Sequence, residues 1–467
     1  MRWNGDTMES ANINIKFSEI TGKIKPMHSV NNGPIGQRAH ASGSSNSKYY
    51  TEAAIPYARN HDANFWTCYG APHTVDIIAI FPDFNADEND PDSYDFHLTD
   101  EYNQRITEAG TNIFYRLGNK IEHESKKYGA NPPKDFHKFA RICEHIIRHM
   151  NYGWANGTHC GIEYWEIWNE PDFYPACWTG TPEDFFELYD ITSRHLKKCF
   201  PELKIGGPAI TRSTFDGFLE PFFEYITRDK KDPAPMDFFS FHWYGTDPKE
   251  IAEQTFVARE LIDKYGYFKA ETILNEWNYV KGWTDAEEML YSKKVIPSLK
   301  GSAFVSAVML ECQKTKLDHL MYYDAAMPSM WNGLFDKETY KPLKPYYSIY
   351  SFSKLYRLKN EVKCNCETEN IYTGAAISDD GNEAAIVMTQ YKDLNSIEGK
   401  DCEEETKTLR IDWSDFHSEN GVKVTYNILD SERNLEPVSE EVFFGKTGAH
   451  IFQLPMYTTV LVTLSKI

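Results

Sequence analysis

Short apolar runs alternate with longer amphipathic stretches from residue 22 to residue 347. Runs at residues 22–30, 53–60, 111–117, 161–168, 204–210, 236–244, 271–279 and 319–324 are rich in β-branched and aromatic residues and read as strands. Between them, residues 135–151 carry Phe136, Phe139, Ile142, Ile146 and Met150 at helical spacing, which makes one apolar stripe. Thr181-Pro182-Glu183-Asp184 opens the next helix, with an N-cap hydroxyl, proline at the first helical position and acids in the first turn. Residues 119–128, 218–228, 248–265 and 287–312 read as further helices. Eight strands alternating with helices predict an α/β fold, a (β/α)8 TIM barrel. The acidic loop 83–95, entered from the short apolar segment 76–81, is long enough to be a functional insertion or a lid.

From residue 348 the period changes to that of strands. Residues 370–377 and 383–390 flank Asp379-Asp380-Gly381-Asn382 as a hairpin, and 409–413, 422–429, 442–444 and 460–464 continue as short strands. Turn signals at this spacing predict a C-terminal β-sandwich. Residues 12–17 alternate as a strand of their own. The expected domains are therefore 1–15, an N-terminal strand joining the sandwich; 16–347, the barrel; and 348–467, the sandwich.

Two barrel strands stop on the same dipeptide. Residues 161–173, G-I-E-Y-W-E-I-W-N-E-P-D-F, halt at Asn169-Glu170-Pro171, where Pro171 disfavours helical backbone at Glu170. Residues 271–279 run into Asn275-Glu276-Trp277. At roughly 30–40 residues per βα unit, the two glutamates end strands 4 and 7 and face each other across one side of the barrel mouth. A single Asn-Glu is an ordinary solvated turn; two at strand ends, each beside tryptophan, point to paired carboxylates flanking one scissile bond, the requirement of glycoside hydrolysis.

Other strand ends add polar groups. His242 and Tyr244 end strand 6, where an imidazole can bond a catalytic carboxyl or sugar hydroxyl and a phenol can orient a nucleophilic carboxylate. His61 and Asp62 end strand 2 in the same way. Asn169 is placed for a sugar 2-hydroxyl, a contact that strengthens in an oxocarbenium-like transition state. Trp277 and Trp331 read equally as sugar platforms or as packing. Glu144-His145-x3-His149 offers two histidines on one helix face, but it lacks the H-E-x-x-H order and reads as surface.

Composition narrows the class. Aromatics make up 15% of the chain, which suits stacking against sugar rings, and the net charge of −20 disfavours nucleic acid and anionic membranes as partners. No run reaches 18 apolar residues, and residues 1–20 hold no signal-peptide core, so a cytoplasmic location is expected. The nine cysteines are irregularly spaced and read as reduced thiols; Cys364 and Cys366 have no second pair to complete a zinc site. Neither a metal nor a cofactor is expected, and the expected partner is a carbohydrate substrate.

Together, Trp168-Asn169-Glu170-Pro171, Asn275-Glu276-Trp277, His242-x-Tyr244 and Arg59-x-His61 resemble glycoside hydrolase family 39, which includes β-xylosidases and α-L-iduronidases. The likeness spans residues 22–347. It implies Glu170 as general acid/base, with a raised pKa, and Glu276 as nucleophile of a retaining double displacement. Their carboxyls should then lie about 5–5.5 Å apart. One departure stands out. The family's xylosidases place acidic residues shortly after the strand-8 aspartate, whereas Asp324 here is followed by Ala325-Ala326-Met327 and then Trp331-Asn332-Gly333. The expectation is a β-xylosidase-like enzyme with a reshaped strand-8 subsite. A related arabinosidase or glucuronidase, or a catalytically silent carbohydrate-binding barrel, are the alternatives; a cationic pocket using Arg59 or Arg116 would mark a uronic acid substrate.

Overall fold

The first strand, β1 (Ser10–Lys23), does not belong to the barrel. The computed structural model describes residues 10–36, 45–61, 74–214, 217–327 and 329–467. In it, eight parallel strands close in chain order: β2 (Ser29–Asn31), β3 (Tyr57–Arg59), β4 (Asn112–Leu117), β5 (Tyr164–Ile167), β6 (Lys204–Ile210), β7 (Phe238–Gly245), β8 (Glu271–Tyr279) and β9 (His319–Tyr322). Helices follow the strands as the apolar stripes require. Phe136–Tyr152 buries Phe139, Ile142, Ile146 and Met150, and Pro182–Cys199 begins with a reciprocal capping box between Thr181 and Asp184.

The barrel interior is layered. At the amino ends of the strands, Phe114, Tyr164, Phe238, Ile273 and Met321 form an apolar plug. Tyr164 and Lys204 both donate to the Glu271 carboxylate beside it, at 2.7 and 2.6 Å. Because the plug closes that end, the chemistry can gather only at the carboxyl ends.

The remaining strands are β10 (Asn360–Asn365), β11 (Ile371–Ile377), β12 (Glu383–Gln390), β13 (Lys407–Ser414), β14 (Val422–Leu429), β15 (Asn434–Phe443), β16 (Thr447–Leu454) and β17 (Thr459–Lys466). With β1 they make one nine-stranded sheet, ordered β15-β14-β17-β12-β11-β10-β1-β13-β16. The sheet folds over on itself: Tyr426 of β14 meets Phe452 of β16 with ring centroids 5.2 Å apart, and one apolar core joins both halves. The helices Leu299–Gln313 and Lys344–Leu358 pack on each other and on β11 and β12, which ties sheet to barrel.

Several local expectations change. Residues 22–30 are not one strand: β1 runs through Lys23, and Pro26, which has no amide to donate, separates it from the three-residue β2. β1 is 14 residues long because β10 and β13 pair with it on either side. Residues 119–128 form a loop, not a helix, because the Glu122 carboxylate accepts from the amides of Tyr128, Gly129 and Ala130 and folds the segment back. Ile77–Ile80 is a short helix. The acidic loop 83–95 is docked, not free: Glu88 pairs with Arg141 at 2.7 Å and with Lys138 at 3.4 Å. No single helix among the described residues is long and apolar enough to cross a membrane.

Candidate active site

Glu170 follows β5 on a contorted turn. Trp168 has φ 73° and Glu170 φ 46°, both left-handed, so Glu170 lies outside the right-handed helical region that Pro171 disfavours. Each such residue costs on the order of 1–2 kcal/mol and persists only if its surroundings fix it. They do so here. Trp168 donates its indole N–H to the Cys177 carbonyl and its amide to Leu117, and the Glu170 amide donates to Ala209 at the end of β6. The turn aims Asn169 and Glu170 inward. Glu276 is aimed by a different device: β8 slips register against both β7 and β9 just after Leu274, and this bulge lets the consecutive residues Asn275 and Glu276 both face the barrel interior.

Beneath the carboxylates lies a buried polar layer centred on Arg59. Its guanidinium donates to Glu166 (2.7 Å), Asn31 (3.1 Å), Glu276 (2.7 Å) and Asn169 (2.6 Å). Ser240 and Asn275 each donate to the other Glu166 oxygen at 2.6 Å. This network fixes Glu276 Oε1 from below, while the Tyr244 hydroxyl donates to Oε2 at 2.8 Å from the side. His61 Nε2 lies 3.5 Å from Glu276 Oε1, and Arg116 donates to the other His61 ring nitrogen at 3.4 Å and to its carbonyl at 2.6 Å. The ring hydrogen of His61 is thereby assigned to the nitrogen facing Glu276.

His242 bridges the two acids. Its Nδ1 is 2.8 Å from Glu170 Oε1 and 3.4 Å from Glu276 Oε2. A carboxylate oxygen of each glutamate and the imidazole nitrogen all lie within 4.8 Å of one another. Burial lowers the His242 pKa to about 4, against the pull of Glu276, so the ring is neutral near pH 7. Its single hydrogen belongs on Nδ1, the nitrogen that faces acceptors. Burial raises the Glu276 carboxyl above its ordinary range, while His242, Arg59 and Tyr244 oppose that rise. Burial alone would lower the Arg59 guanidinium, but Glu166 and Glu276 raise it further above its ordinary value. Donor type alone would let Glu170, His242 and Glu276 take a divalent cation. Both Glu276 oxygens, however, already accept from Arg59 and Tyr244.

The two predicted acids, Asn169, His242, Tyr244 and His61 therefore converge. Asp62 lies outside the described residues. Asp324 is buried at the end of strand 8, 3.5 Å from the Asn32 amide at the end of β2. Trp331 reaches the mouth, its ring 6.2 Å from Tyr244 and 5.5 Å from Trp283. Trp277 does not: it is fully buried against Phe304 and Tyr322, on the helix-facing side of β8, and so packs rather than presenting a sugar platform. The paired histidines of the helix Phe136–Tyr152 are not a surface feature either. His149 is buried between the Trp154 carbonyl and Asp100, while His145 bonds the Arg141 carbonyl.

Three neighbours were not singled out from sequence. Glu166 shares a strand face with Tyr164, and a charged residue on the barrel-inward face of a buried strand is a signal of an internal ion pair. Trp283, 49% exposed, marks the polar loop after β8 and stacks edge-on to Tyr244 at 5.2 Å. Cys177 Sγ lies 3.7 Å from Glu170 Oε2, a contact made only by the folded-back loop.

Comparison with known proteins gives the chain a family and its fold a set of relatives. The profile of glycosyl hydrolases family 39 matches residues 38–278, just over half of the chain. The chain is 32% identical over 123 residues to a β-xylosidase of Caldicellulosiruptor saccharolyticus, a match covering 26% of this chain and 23% of that protein. It is 29% identical over 136 residues to a β-xylosidase of Geobacillus stearothermophilus, covering 28% of this chain and 23% of the relative. In both cases the likeness spans less than a quarter of the relative's length. Among solved structures, a glucosidase from Croceicoccus marinus superposes with TM-score 0.82 at 20% identity, covering 98% of this chain and 99% of that one. A monomeric β-xylosidase from Caulobacter crescentus gives TM-score 0.71 at 15% identity, covering 98% and 100%. These two likenesses speak for the fold. The family match, laid over a strand-4 and strand-7 glutamate pair, decides the relationship: this chain belongs to glycosyl hydrolases family 39.

Proposed function

We propose that the protein is a retaining glycoside hydrolase acting on the O-glycosidic bonds of plant or microbial oligo- and polysaccharides, β-xylosidase-like with a reshaped strand-8 subsite. The observation that carries this reading is the convergence of Glu170 and Glu276 to within 4.8 Å about the His242 nitrogen. Approach within that limit falls on the side of the roughly 5–5.5 Å of a retaining pair rather than the about 6.5–9.5 Å that makes room for an inverting enzyme's water.

In the proposed cycle, Glu276 attacks the anomeric carbon and Glu170 protonates the departing oxygen. Glu170 then takes a proton from water, which displaces Glu276 from the glycosyl-enzyme. Tyr244 and Arg59 hold the nucleophile with one oxygen toward each, as in-line attack requires. Asn169, its carbonyl oxygen engaged by Arg59, offers its amide as donor to the 2-hydroxyl. Trp331 and Trp283 supply apolar faces at the entrance.

A neutral sugar suits this pocket better than a uronic acid. Arg59 is engaged by two carboxylates, and Arg116 is paired with the Asp76 carboxylate at 2.7 Å and bonds the His61 carbonyl, so both charges are already matched without a substrate anion. The β-xylosidases and the glucosidase it resembles act, by their names, on uncharged sugars.

Aryl glycosides of xylose, arabinose, galactose, glucose and glucuronic acid test the reading, with the anomeric configuration of the first-formed product followed by NMR. A neutral glycoside should be cleaved with retention, and Glu276→Gln should abolish turnover. Glu170→Ala should lose most activity on poor leaving groups and recover on addition of azide. Inversion at the anomeric carbon, or an undiminished rate in Glu170→Ala, would overturn the assignment.

A further inference from the structure

On the outer side of the barrel, three side chains from two helices converge without serving the active site. Glu144 of the helix Phe136–Tyr152 brings Oε2 to 2.6 Å from His195 Nε2, and Cys199 Sγ lies 3.9 Å from that same nitrogen. The three donor atoms all lie within 4.8 Å of one another. His195 and Cys199 are four residues apart on the helix Pro182–Cys199, so both project from one face toward the neighbouring helix.

The arrangement narrows what this cluster can do. A thiol–imidazole–carboxylate relay places thiol and carboxylate on opposite ring nitrogens, so that a proton can pass through the ring. Here both address Nε2, and no relay is possible. Convergence of an oxygen, a nitrogen and a sulfur on one point is instead the donor arrangement of a transition-metal site.

We propose that Glu144, His195 and Cys199 bind a borderline divalent transition-metal cation, zinc by its donor chemistry, which staples the two helices together. The carboxylate and the thiolate together balance a charge of +2. Arg148 occupies the other oxygen of Glu144 at 2.7 Å and so turns Oε2 toward the site. Cys199 is the last residue of its helix, where the unpaired carbonyls carry partial negative charge and favour a cation. The nitrogen–oxygen pair must open by less than ~1 Å to reach tetrahedral spacing around zinc. Binding releases the thiol proton to solvent, while the imidazole keeps its one hydrogen, moved from Nε2 to Nδ1. His195 is partly exposed, so a water completes the fourth position. Thiolate and imidazole donors disfavour magnesium and calcium. Cys199 lies shortly before β6 and thus at the amino end of the strands, away from the glutamate pair, so this inference stands apart from the glycosidase reading.

Cobalt(II) followed by zinc(II), titrated into the metal-stripped full chain, tests it. One equivalent of cobalt should give a thiolate-to-cobalt charge-transfer absorption in the near ultraviolet that zinc abolishes. Cys199→Ser should lose that band, and His195→Gln and Glu144→Gln should each weaken binding by about tenfold or more. Zinc should raise the Tm of the parent protein and not that of Cys199→Ser. Absence of the band, its persistence in Cys199→Ser, or an equal zinc-induced shift in all variants would show an inter-helix hydrogen bond only.

Discussion

Arg59 Nη1 and Glu276 Oε1 lie 2.7 Å apart, the guanidinium fully buried and the carboxylate only 6% exposed. The same guanidinium binds Glu166, so one cation holds two buried carboxylates at different depths of the barrel. Removing it strands both. Arg59→Ala should lower stability by about 3–5 kcal/mol, because uncompensated charge is left in the interior. Arg59→Lys keeps the charge but not the fork that reaches Asn31, Glu166, Asn169 and Glu276 together. It should fold with a smaller loss and reduce kcat by about a hundredfold, since the nucleophile is then less well placed. Denaturant midpoints and steady-state kinetics on the best aryl glycoside separate the two effects; equal kcat for Arg59→Lys and the parent would remove Arg59 from the positioning of Glu276.

Tyr244 donates to the other oxygen of the same carboxylate. A hydrogen bond to a charged group contributes about 1.5–3 kcal/mol. Tyr244→Phe should therefore lower kcat/KM roughly ten- to a hundredfold. The thermal midpoint should move little, because the ring and its contacts with Trp283 and Trp331 stay in place. A large loss of Tm with unchanged kcat/KM would reassign Tyr244 to packing.

Acid should destabilise the protein through buried neutral histidines. Burial lowers His242 to about 4 and His28 and His319 to about 3, all below the ordinary value of 6.5. A group whose pKa falls on folding contributes stability that is present above its unfolded pKa and lost as pH drops toward the folded one. The window is thus pH 6.5 downward, with a slope of up to ~1.4 kcal/mol per pH unit for each histidine. Asp172 works in the opposite sense: burial pushes its carboxyl up to about 7, with Thr211 opposing and Glu170 adding. Its contribution is present at low pH and lost as pH rises toward 7. Denaturant midpoints at pH 7 and pH 5 should fall toward the acid side, less so in His28→Asn and more so in Asp172→Asn. Flat stability across that interval would contradict the assigned protonation states.

Trp277 and Trp331 should respond differently. Trp277→Phe leaves a void against Phe304 and Tyr322 and should cost about 1–3 kcal/mol of stability with KM unchanged. Trp331→Ala removes a partly exposed ring beside Tyr244 and Trp283 and should raise KM severalfold with a smaller change in Tm. Differential scanning calorimetry and Michaelis–Menten analysis distinguish them; the reverse pattern would exchange their roles.

What the sequence determined by itself was the alternation of strands and helices, the change of period after the barrel, and the two Asn-Glu strand ends. Those are set by local periodicity and by backbone chemistry within a few residues, which a linear reading captures. Glu170, Glu276, His242 and Tyr244 were legible because strand ends in this architecture fall at one face whatever the loops do. Tertiary structure alone decided the rest. Arg59 joins four strand ends at once, the left-handed turn at Trp168 and Glu170 depends on Leu117, Cys177 and Ala209, and Trp277 faces helix rather than sugar. The cluster of Glu144, His195 and Cys199 forms only where two helices pack side by side. Each of these depends on partners distant in the chain, and closure of the barrel, not the order of residues, brings such partners within reach.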